Sequence, residues 1–245
     1  MLKASTRAPT QSSSMDSIAE AASPTDQLRT SSAPSQGKPL VVLLHGLARG
    51  RRALEKLRRR IQEETGLTAV SLQYPSTRQP INKLAAGVAE EVKDLVLQGG
   101  ISWKGIVMIA PPNQGSTVAH QLSGLPGIGK LFQVLYGSAG VELGTEMATG
   151  NVWPDPPQPC GIIAGNQSLS LVNPTSWLTS AFRMIPGPND GTVAVEETKL
   201  TSGLKVDTRV LHLPHTTIAS SPLVAPFVIQ FLRHGTFLEE TTEVI

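Results

Sequence analysis

The chain has 245 residues, a formal net charge of +2 and 40% hydrophobic residues. This composition is that of an ordinary globular protein, and it excludes collagen-like and largely disordered chains. About 200 residues suffice for one well-buried core, so we expect one folded domain with tails. No apolar run approaches the ~20 residues that span a bilayer, so no transmembrane segment is expected.

The densest cluster of basic residues lies between positions 49 and 60. Its members are Arg49, Arg51, Arg52, Lys56, Arg58, Arg59 and Arg60. Such a run could bind phosphate or an anionic membrane surface. The acidic residues Glu55, Glu63 and Glu64 on the same stretch favour a solvated helix face instead. We therefore predict no nucleic-acid partner.

The two ends of the chain are predicted to be tails around a domain at 38–237. Residues 1–37 are rich in Ser, Thr, Ala, Pro and Gln. Such a segment buries too little surface to offset its chain entropy, so it is predicted to be disordered. Residues 238–245 form the C-terminal tail. The first tail resembles an organelle transit peptide in its scattered basic and hydroxyl residues, but its acidic residues count against one. The compartment therefore stays open between cytoplasm and organelle.

Strands and helices alternate along the body of the chain. Strands are predicted at 39–44, 67–74, 105–110, 160–165 and 208–213. Helices are predicted at 51–64, 81–97, from near Ser116, and at 222–233. The unbroken apolar runs at 39–44 and 105–110 are typical of strands buried on both faces of a parallel sheet. The pattern predicts an α/β fold, with a mostly parallel sheet and helices on both faces.

Ligands of such sheets bind at the carboxyl ends of the strands, and three segments fall there. Gly46 and Leu47 directly follow the first strand, where glycine allows a close backbone approach and the next N–H can meet a developing oxyanion. Asp190 lies in PGPNDGTVAVEET after the fourth strand; a tight turn capped by this Asp is the alternative interpretation. His215 follows the last strand, whereas His212 is predicted to be a packed strand residue.

Several longer segments make the chain similar to the small lipase-like α/β-hydrolases over residues 39–237. They are LLHGLARG at 43–50, IVMIAPPNQGS at 106–116, AGVELGT at 139–145, GIIAG at 161–165, IPGPNDGTVAVEET at 185–198 and FLRHGTF at 231–237. The resemblance implies that Asp190 is the triad acid, His215 the general base and the Leu47 N–H one oxyanion donor, with Gly46 shaping the turn. Asp155 is a poorer acid candidate because it precedes the fourth strand. The implied substrate is a small-molecule or lipid carboxylic ester, with no cofactor and no metal.

One unit of that family is missing from the sequence. A strand, a G-x-S-x-G elbow and a helix should separate the helix ending near Leu97 from the strand starting near Gly105, but only QGGISWK intervenes. A complete βαβ unit needs roughly 30 residues, and no G-x-S-x-G occurs anywhere in the chain. The elbow supplies both the nucleophile and the second oxyanion donor. Losing a central strand must leave either a gap or a re-paired sheet.

No other residue is a good substitute for the nucleophile. Ser116 is predicted to cap a helix, Ser138 has no preceding strand, and the single cysteine, Cys160, begins a strand as a buried thiol instead of ending one. The segment GLPGIGKL at 124–131 nearly matches a phosphate-binding loop, but Leu131 replaces the required hydroxyl. It is interpreted as a flexible loop near the family's lid region.

Two hypotheses follow. The chain is either an abbreviated serine lipase or esterase with negligible turnover, or a non-catalytic relative that keeps the cleft for binding or interaction.

Overall fold

The computed structural model describes residues 39–97, 104–149, 153–169 and 185–237. Within these ranges the strands are β1 Leu40–Leu43, β2 Thr68–Ser71, β3 Ile106–Ile109, β4 Cys160–Gly165 and β5 Asp207–Leu211. The helices are α1 Glu55–Thr65, α2 Ile81–Leu97, α3 Thr117–Gly124, α4 Ile128–Thr149, α5 His215–Ile218 and α6 Ala225–His234. Short 3₁₀ turns occupy Arg51–Leu54 and Glu196–Thr198. The predicted tails, 1–37 and 238–245, lie outside the described residues.

Every pair of neighbouring strands is parallel, and the predicted α/β fold class is confirmed. The residues at the helix ends explain several boundaries. Gly66 ends α1 in the left-handed conformation at φ 69°, and its N–H donates to Gln62 O at 3.0 Å. The side chain of Ser116 accepts a hydrogen bond from Ala119 N at 3.2 Å, which makes it the predicted N-cap of α3.

The segment 124–131, predicted to be a flexible loop, is one only at the turn 125–127 that joins α3 to α4. Helix α4 begins at Ile128 and continues to Thr149, with a non-helical break at Gly137 (φ 68°, ψ −164°). Gly127 lies in the turn at φ 76°, whereas Gly129 serves close packing. A Cβ on Gly129 would lie 2.4 Å from Ser123 O, so only glycine allows α3 and α4 to approach this closely.

The sheet is divided into two pieces. Within the described residues β1 pairs only with β2, in the register Leu40 to Thr68, and β3, β4 and β5 form a separate sheet. Of the two outcomes expected for a missing central strand, the described chain therefore shows the gap and not a re-paired sheet. We call this gap the sheet break.

The crossover connections place β1 and β3 on either side of the sheet break. Helix α1, which follows β1, packs with α6, whereas α2, which follows β2, contacts α4. Because parallel crossovers are right-handed, successive crossovers through opposite faces run in opposite directions across the molecule. The chain steps from β1 out to β2 and then returns past β1 to β3. The order within each sheet is β1-β2 and β3-β4-β5. The handedness argument joins them as β2-β1, the break, then β3-β4-β5.

The burial of each strand depends on its position in the sheet. All six residues of β4, which has neighbours on both sides, are buried, whereas every residue of β3 is only half-buried. In β1 only Leu43 is buried, and the following Leu44 is 48% exposed. The prediction that the runs at 39–44 and 105–110 are buried on both faces is therefore wrong, because each strand has a neighbour on one side only within the described ranges.

The main hydrophobic core lies on the α1 and α6 side and joins the two sheets. Leu43 from β1, Ile61 from α1 and Ile163 from β4 belong to one buried cluster with Val228 and Phe231 from α6. Two hydrogen bonds connect the α1 and α6 regions, from Arg233 Nη2 to Glu64 O at 2.6 Å and from Arg60 Nη1 to the Pro222 carbonyl at 3.0 Å. Packing on this face therefore holds the halves together without strand pairing between them.

The basic residues of α1 are solvated and paired within the helix, in agreement with the predicted helix face. Arg58 and Arg59 both donate to the Glu55 carboxylate, at 2.8 and 2.7 Å. These hydrogen bonds lower the pKa of Glu55 to about 2. Among the described residues, no helix combines the length and apolarity that crossing a bilayer requires.

A matched pair of core substitutions tests the sheet break. Ile109 of β3 and Ile163 of β4 are register partners, but Ile163 is 0% exposed and Ile109 is half-buried. We expect Ile163→Ala to lower the free energy of unfolding by about 2–5 kcal/mol and Ile109→Ala by less than about 2 kcal/mol. Urea denaturation measures both; equal losses would mean that β3 is covered as fully as β4.

Candidate active site

The structure brings two of the predicted site residues into direct contact. Asp190 lies in the loop that follows β4, and His215 is the first residue of α5, just beyond β5. His215 Nδ1 and Asp190 Oδ2 are 2.8 Å apart. Asp190 is 1% exposed, whereas 29% of the His215 side chain remains accessible. The buried carboxylate therefore holds an imidazole that solvent can still reach.

Asp190 has a separate partner for each carboxylate oxygen. Oδ1 accepts hydrogen bonds from Thr192 N at 3.0 Å and Val193 N at 2.7 Å, which closes the tight turn. Oδ2 faces His215. The backbone N–H of His215 also donates to Asp190 O at 3.0 Å. The capped turn and the acid beside an imidazole, considered as alternatives from the sequence, are therefore both present.

This contact favours one tautomer of His215. A carboxylate oxygen accepts hydrogen bonds, so the 2.8 Å contact fits a ring whose Nδ1 donates to Asp190, which leaves Nε2 as the nitrogen that faces away from the carboxylate. Within the described ranges no group hydrogen-bonds to Nε2. An imidazole oriented in this way by a buried carboxylate has the form of a general base.

Gly165, the last residue of β4, makes room for the acid. A Cβ at this position would lie 2.8 Å from Asp190 Cβ and 2.5 Å from Leu213 O. Both distances are shorter than Cβ atoms tolerate, so a larger residue would displace the Asp190 loop or the strand end before His215. The glycine in GIIAG therefore has a packing function at the site.

The predicted oxyanion turn is held by a stacked pair of rings behind it. The His45 and Tyr74 rings stack at 4.0 Å between centroids with 9° between their planes. His45 Nδ1 donates to Gly46 O at 3.0 Å, Tyr74 N donates to His45 Nε2 at 3.3 Å, and the Tyr74 hydroxyl donates to His45 O. The Leu47 N–H has no hydrogen-bond partner in the described parts of the chain, so it is free to bind an acceptor.

Burial affects both rings of this pair. Burial lowers the pKa of His45, and the hydrogen bond to Gly46 offsets this in part. Burial also raises the pKa of Tyr74 to about 12. Both side chains are therefore neutral at physiological pH, as their mutual stacking and backbone hydrogen bonds require.

An apolar cleft of about 260 Å³ lies beside the oxyanion turn. Leu47, His45 and Tyr74 line one end, and side chains of α2 and α4, among them Leu84 and Leu143, line the rest. Neither Asp190 nor His215 lines it. Of the predicted site residues, only Leu47 therefore borders the cleft, and the Asp190–His215 pair is identified by its hydrogen bond alone.

The other candidates stay apart from this pair. His212 is exposed and its Nδ1 lies 3.1 Å from Asn166 Oδ1, so the prediction that it packs within the strand is wrong. Strand β5 ends at Leu211, one residue earlier than His212. Asp155 is exposed in the loop before β4. Cys160 is a buried free thiol, and burial raises its pKa.

Sequence reasoning missed one buried charged residue near the site, Glu197. Its Oε1 accepts a hydrogen bond from Thr117 N at 2.7 Å, and its Oε2 accepts one from Ala194 N at 2.8 Å. The carboxylate thus joins the N-terminus of α3 to the loop that carries Asp190. No local motif marks this role, because the two partners lie far apart in sequence. Among the described residues, no group of three or more His, Cys, Asp or Glu side chains could hold a metal ion.

Comparison with solved structures identifies the architecture. The lipase BlEst2 of Bacillus licheniformis in its mature form superimposes with a TM-score of 0.56 at 19% identity, covering 84% of this chain and 96% of that lipase. The chain has the α/β-hydrolase fold.

Two thioesterases share less of the α/β-hydrolase geometry. The RedJ thioesterase of Streptomyces coelicolor superimposes with a TM-score of 0.39 at 15% identity, covering 85% of this chain and 95% of that one. The Vlm2 thioesterase domain superimposes with a TM-score of 0.36 at 15% identity, covering 82% of this chain and 95% of that domain. No protein-family model and no curated protein sequence matches it.

Enlarging Gly165 should separate the acid from the base. In Gly165→Ala the new methyl displaces Asp190, so we expect loss of the Nδ1–H signal of His215 in the proton NMR spectrum and a destabilisation of about 1–3 kcal/mol. Gly87→Ala is the control, because no atom lies within 4 Å of its added methyl and alanine favours the helix. A Gly165→Ala protein with an unchanged His215 signal contradicts this role.

The stability of the fold should depend on the charge of His45. The pKa of His45 is lower in the folded protein than in the unfolded chain, so the neutral imidazole stabilises the fold. This stabilisation is complete above about pH 6.5. It is lost as the pH falls through the folded pKa. We expect the urea midpoint to fall between pH 8 and pH 5, and to fall less in His45→Gln. An equal decrease in both proteins would assign the pH dependence to other groups.

Proposed function

We propose that this chain is a relative of the serine esterases and lipases, which hydrolyse carboxylic esters, and that it has negligible turnover because it lacks a nucleophile. The observation that carries the proposal is the 2.8 Å contact between His215 Nδ1 and the buried Asp190. A buried carboxylate is costly unless it is well hydrogen-bonded. Here three donors satisfy it and one of them is an accessible imidazole.

Each residue has a defined role in the proposed chemistry. His215 Nε2 would take the proton of a serine hydroxyl as that hydroxyl attacks the ester carbonyl. Asp190 would keep the imidazole in the required tautomer and stabilise the imidazolium. The Leu47 N–H would donate to the oxyanion, with Gly46 shaping the turn. The described residues thus include groups that would receive a proton and stabilise charge, but none placed to attack.

The absence of an elbow limits the expected rate. No G-x-S-x-G is present in the sequence, and among the described residues no hydroxyl or thiol contacts His215 Nε2. Removing the nucleophile leaves only the residual acceleration that comes from binding and the oxyanion hole. Here the second oxyanion donor, which the elbow supplies, is missing as well.

The second candidate function is a non-catalytic binding module. The apolar cleft beside Leu47 supports this second candidate, because neither Asp190 nor His215 is among the residues that line it. The two candidate functions differ in the expected effect of replacing His215. A binding module keeps its ligand when His215 is replaced, whereas a hydrolase relative needs His215 as soon as a nucleophile is restored.

Restoring the missing unit provides the test. We expect the natural chain to resist labelling by a fluorophosphonate probe, and a chain with a strand, a G-x-S-x-G elbow and a helix inserted between Leu97 and Lys104 to be labelled. Since an unassisted serine is a weak nucleophile, adding His215→Ala to the inserted chain should lower the labelling rate by about 100-fold or more.

Asp190→Asn and serine-to-alanine versions of the inserted chain complete the comparison. Asp190→Asn should also slow labelling, because the amide can no longer orient the imidazole. The alanine version should not be labelled at all. Strong labelling of the natural chain that His215→Ala abolishes would refute the proposed lack of an activated nucleophile.

A further inference from the structure

The sheet break leaves two strand edges without partners. Within the described residues, β1 hydrogen-bonds only to β2 and β3 only to β4. Each outer edge therefore presents a row of backbone N–H and C=O groups, along Leu40–Leu43 and along Ile106–Ile109, which is a template for another strand. The crossover argument places both edges at the same break. An extended polypeptide backbone is the group that pairs with such edges.

Helix α2 is only partly covered by its neighbours in the same region. Its apolar stripe recurs every three or four residues, at Ile81, Leu84, Val88, Val92 and Leu95. A helix with such a stripe normally buries it, yet none of the described side chains of α2 is fully buried. Ala139 and Leu143 of α4 face the same cleft, and no charged side chain lines it. The surface is suited to an apolar helix face.

The opposite face of the molecule is already filled. Helices α1 and α6 pack against both sheets there, in one buried cluster. A segment that entered the break as a strand would therefore have to place its helix on the α2 and α4 side. A right-handed connection from a strand parallel to β1 leads to that face as the chain steps toward β3.

We propose that the open edges of β1 and β3, together with the α2–α4 cleft, form a docking site for a strand–turn–helix segment of another polypeptide. The segment carries an apolar β-branched strand of about five or six residues, a tight turn and an amphipathic helix. This proposal concerns binding only and does not depend on the hydrolase assignment.

Other occupants fit the surface less well. A second copy has no spare strand–helix unit in its described parts, because each of its strands is paired within its own sheet. An apolar small molecule fills the cleft but leaves the strand edges unsatisfied. A polypeptide segment of this kind matches the edges, the cleft and the free face together.

A synthetic peptide tests the site on the full chain. The probe has a six-residue Val/Ile strand, a glycine turn and a 16-residue Leu/Ala/Lys helix, and the control peptide has two prolines in the strand, which remove two ladder donors. Hydrogen exchange should slow at least about tenfold in both β1 and β3 with the probe and stay unchanged with the control. No protection, or equal protection by both peptides, overturns the proposal.

Two variants on opposite faces of α2 test the helix contact. Val88 lines the cleft, whereas Ala86 is exposed and does not. Val88→Asp should weaken the Kd of the probe about tenfold or more, and Ala86→Asp should change it less than about twofold. Unchanged binding by Val88→Asp overturns the proposal. A stable dimer of the free chain whose β3 edge is protected from exchange also overturns it, in favour of a second copy.

Discussion

The structure depends on one constraint: a strand inside a parallel sheet needs a hydrogen-bonded neighbour on each side. β4 has two neighbours, β3 and β5, and is buried along its whole length. β1 and β3 have one each within the described chain, and their residues are mostly half-buried. The half-buried stripe of α2 and the apolar cleft lie on the face next to the same break. These features are therefore consequences of a single missing neighbour.

Asp190 and His215 still contact each other despite the sheet break, because both follow strands of the intact part of the sheet. Asp190 and His215 follow β4 and β5, which pair with each other from Gly161 and Asp207 onward. Gly165 leaves room for the carboxylate, and Glu197 connects its loop to α3. None of these contacts crosses the break. The local geometry of the pair is therefore set by strand ends that keep their normal neighbours.

The sequence allowed most of this architecture to be predicted where local patterns and tertiary packing agree. The helix at 81–97 and the strand at 160–165 coincide with α2 and β4, and the order acid then histidine identified residues that meet in space. Burial was mispredicted at 105–110, because an apolar run does not reveal whether its neighbour exists. Helix α4 was missed because the glycines that permit its packing are also typical of loops. Glu197 and Tyr74 carry no local signal, since the contacts of Glu197 with Thr117 and of Tyr74 with His45 join residues that are distant in sequence.

The division of the sheet also divides the proposed catalytic groups. The Leu47 N–H follows β1, on one side of the break, whereas His215 and Asp190 follow β5 and β4, on the other. An oxyanion donor and a general base must be placed to within a fraction of an ångström of productive geometry. Packing of α1 and α6 joins the halves on one face only, and side-chain packing fixes strand spacing less tightly than a hydrogen-bonded ladder does. A strand that fills the break would therefore supply more than a nucleophile, because it would also fix the distance between the donor and the base.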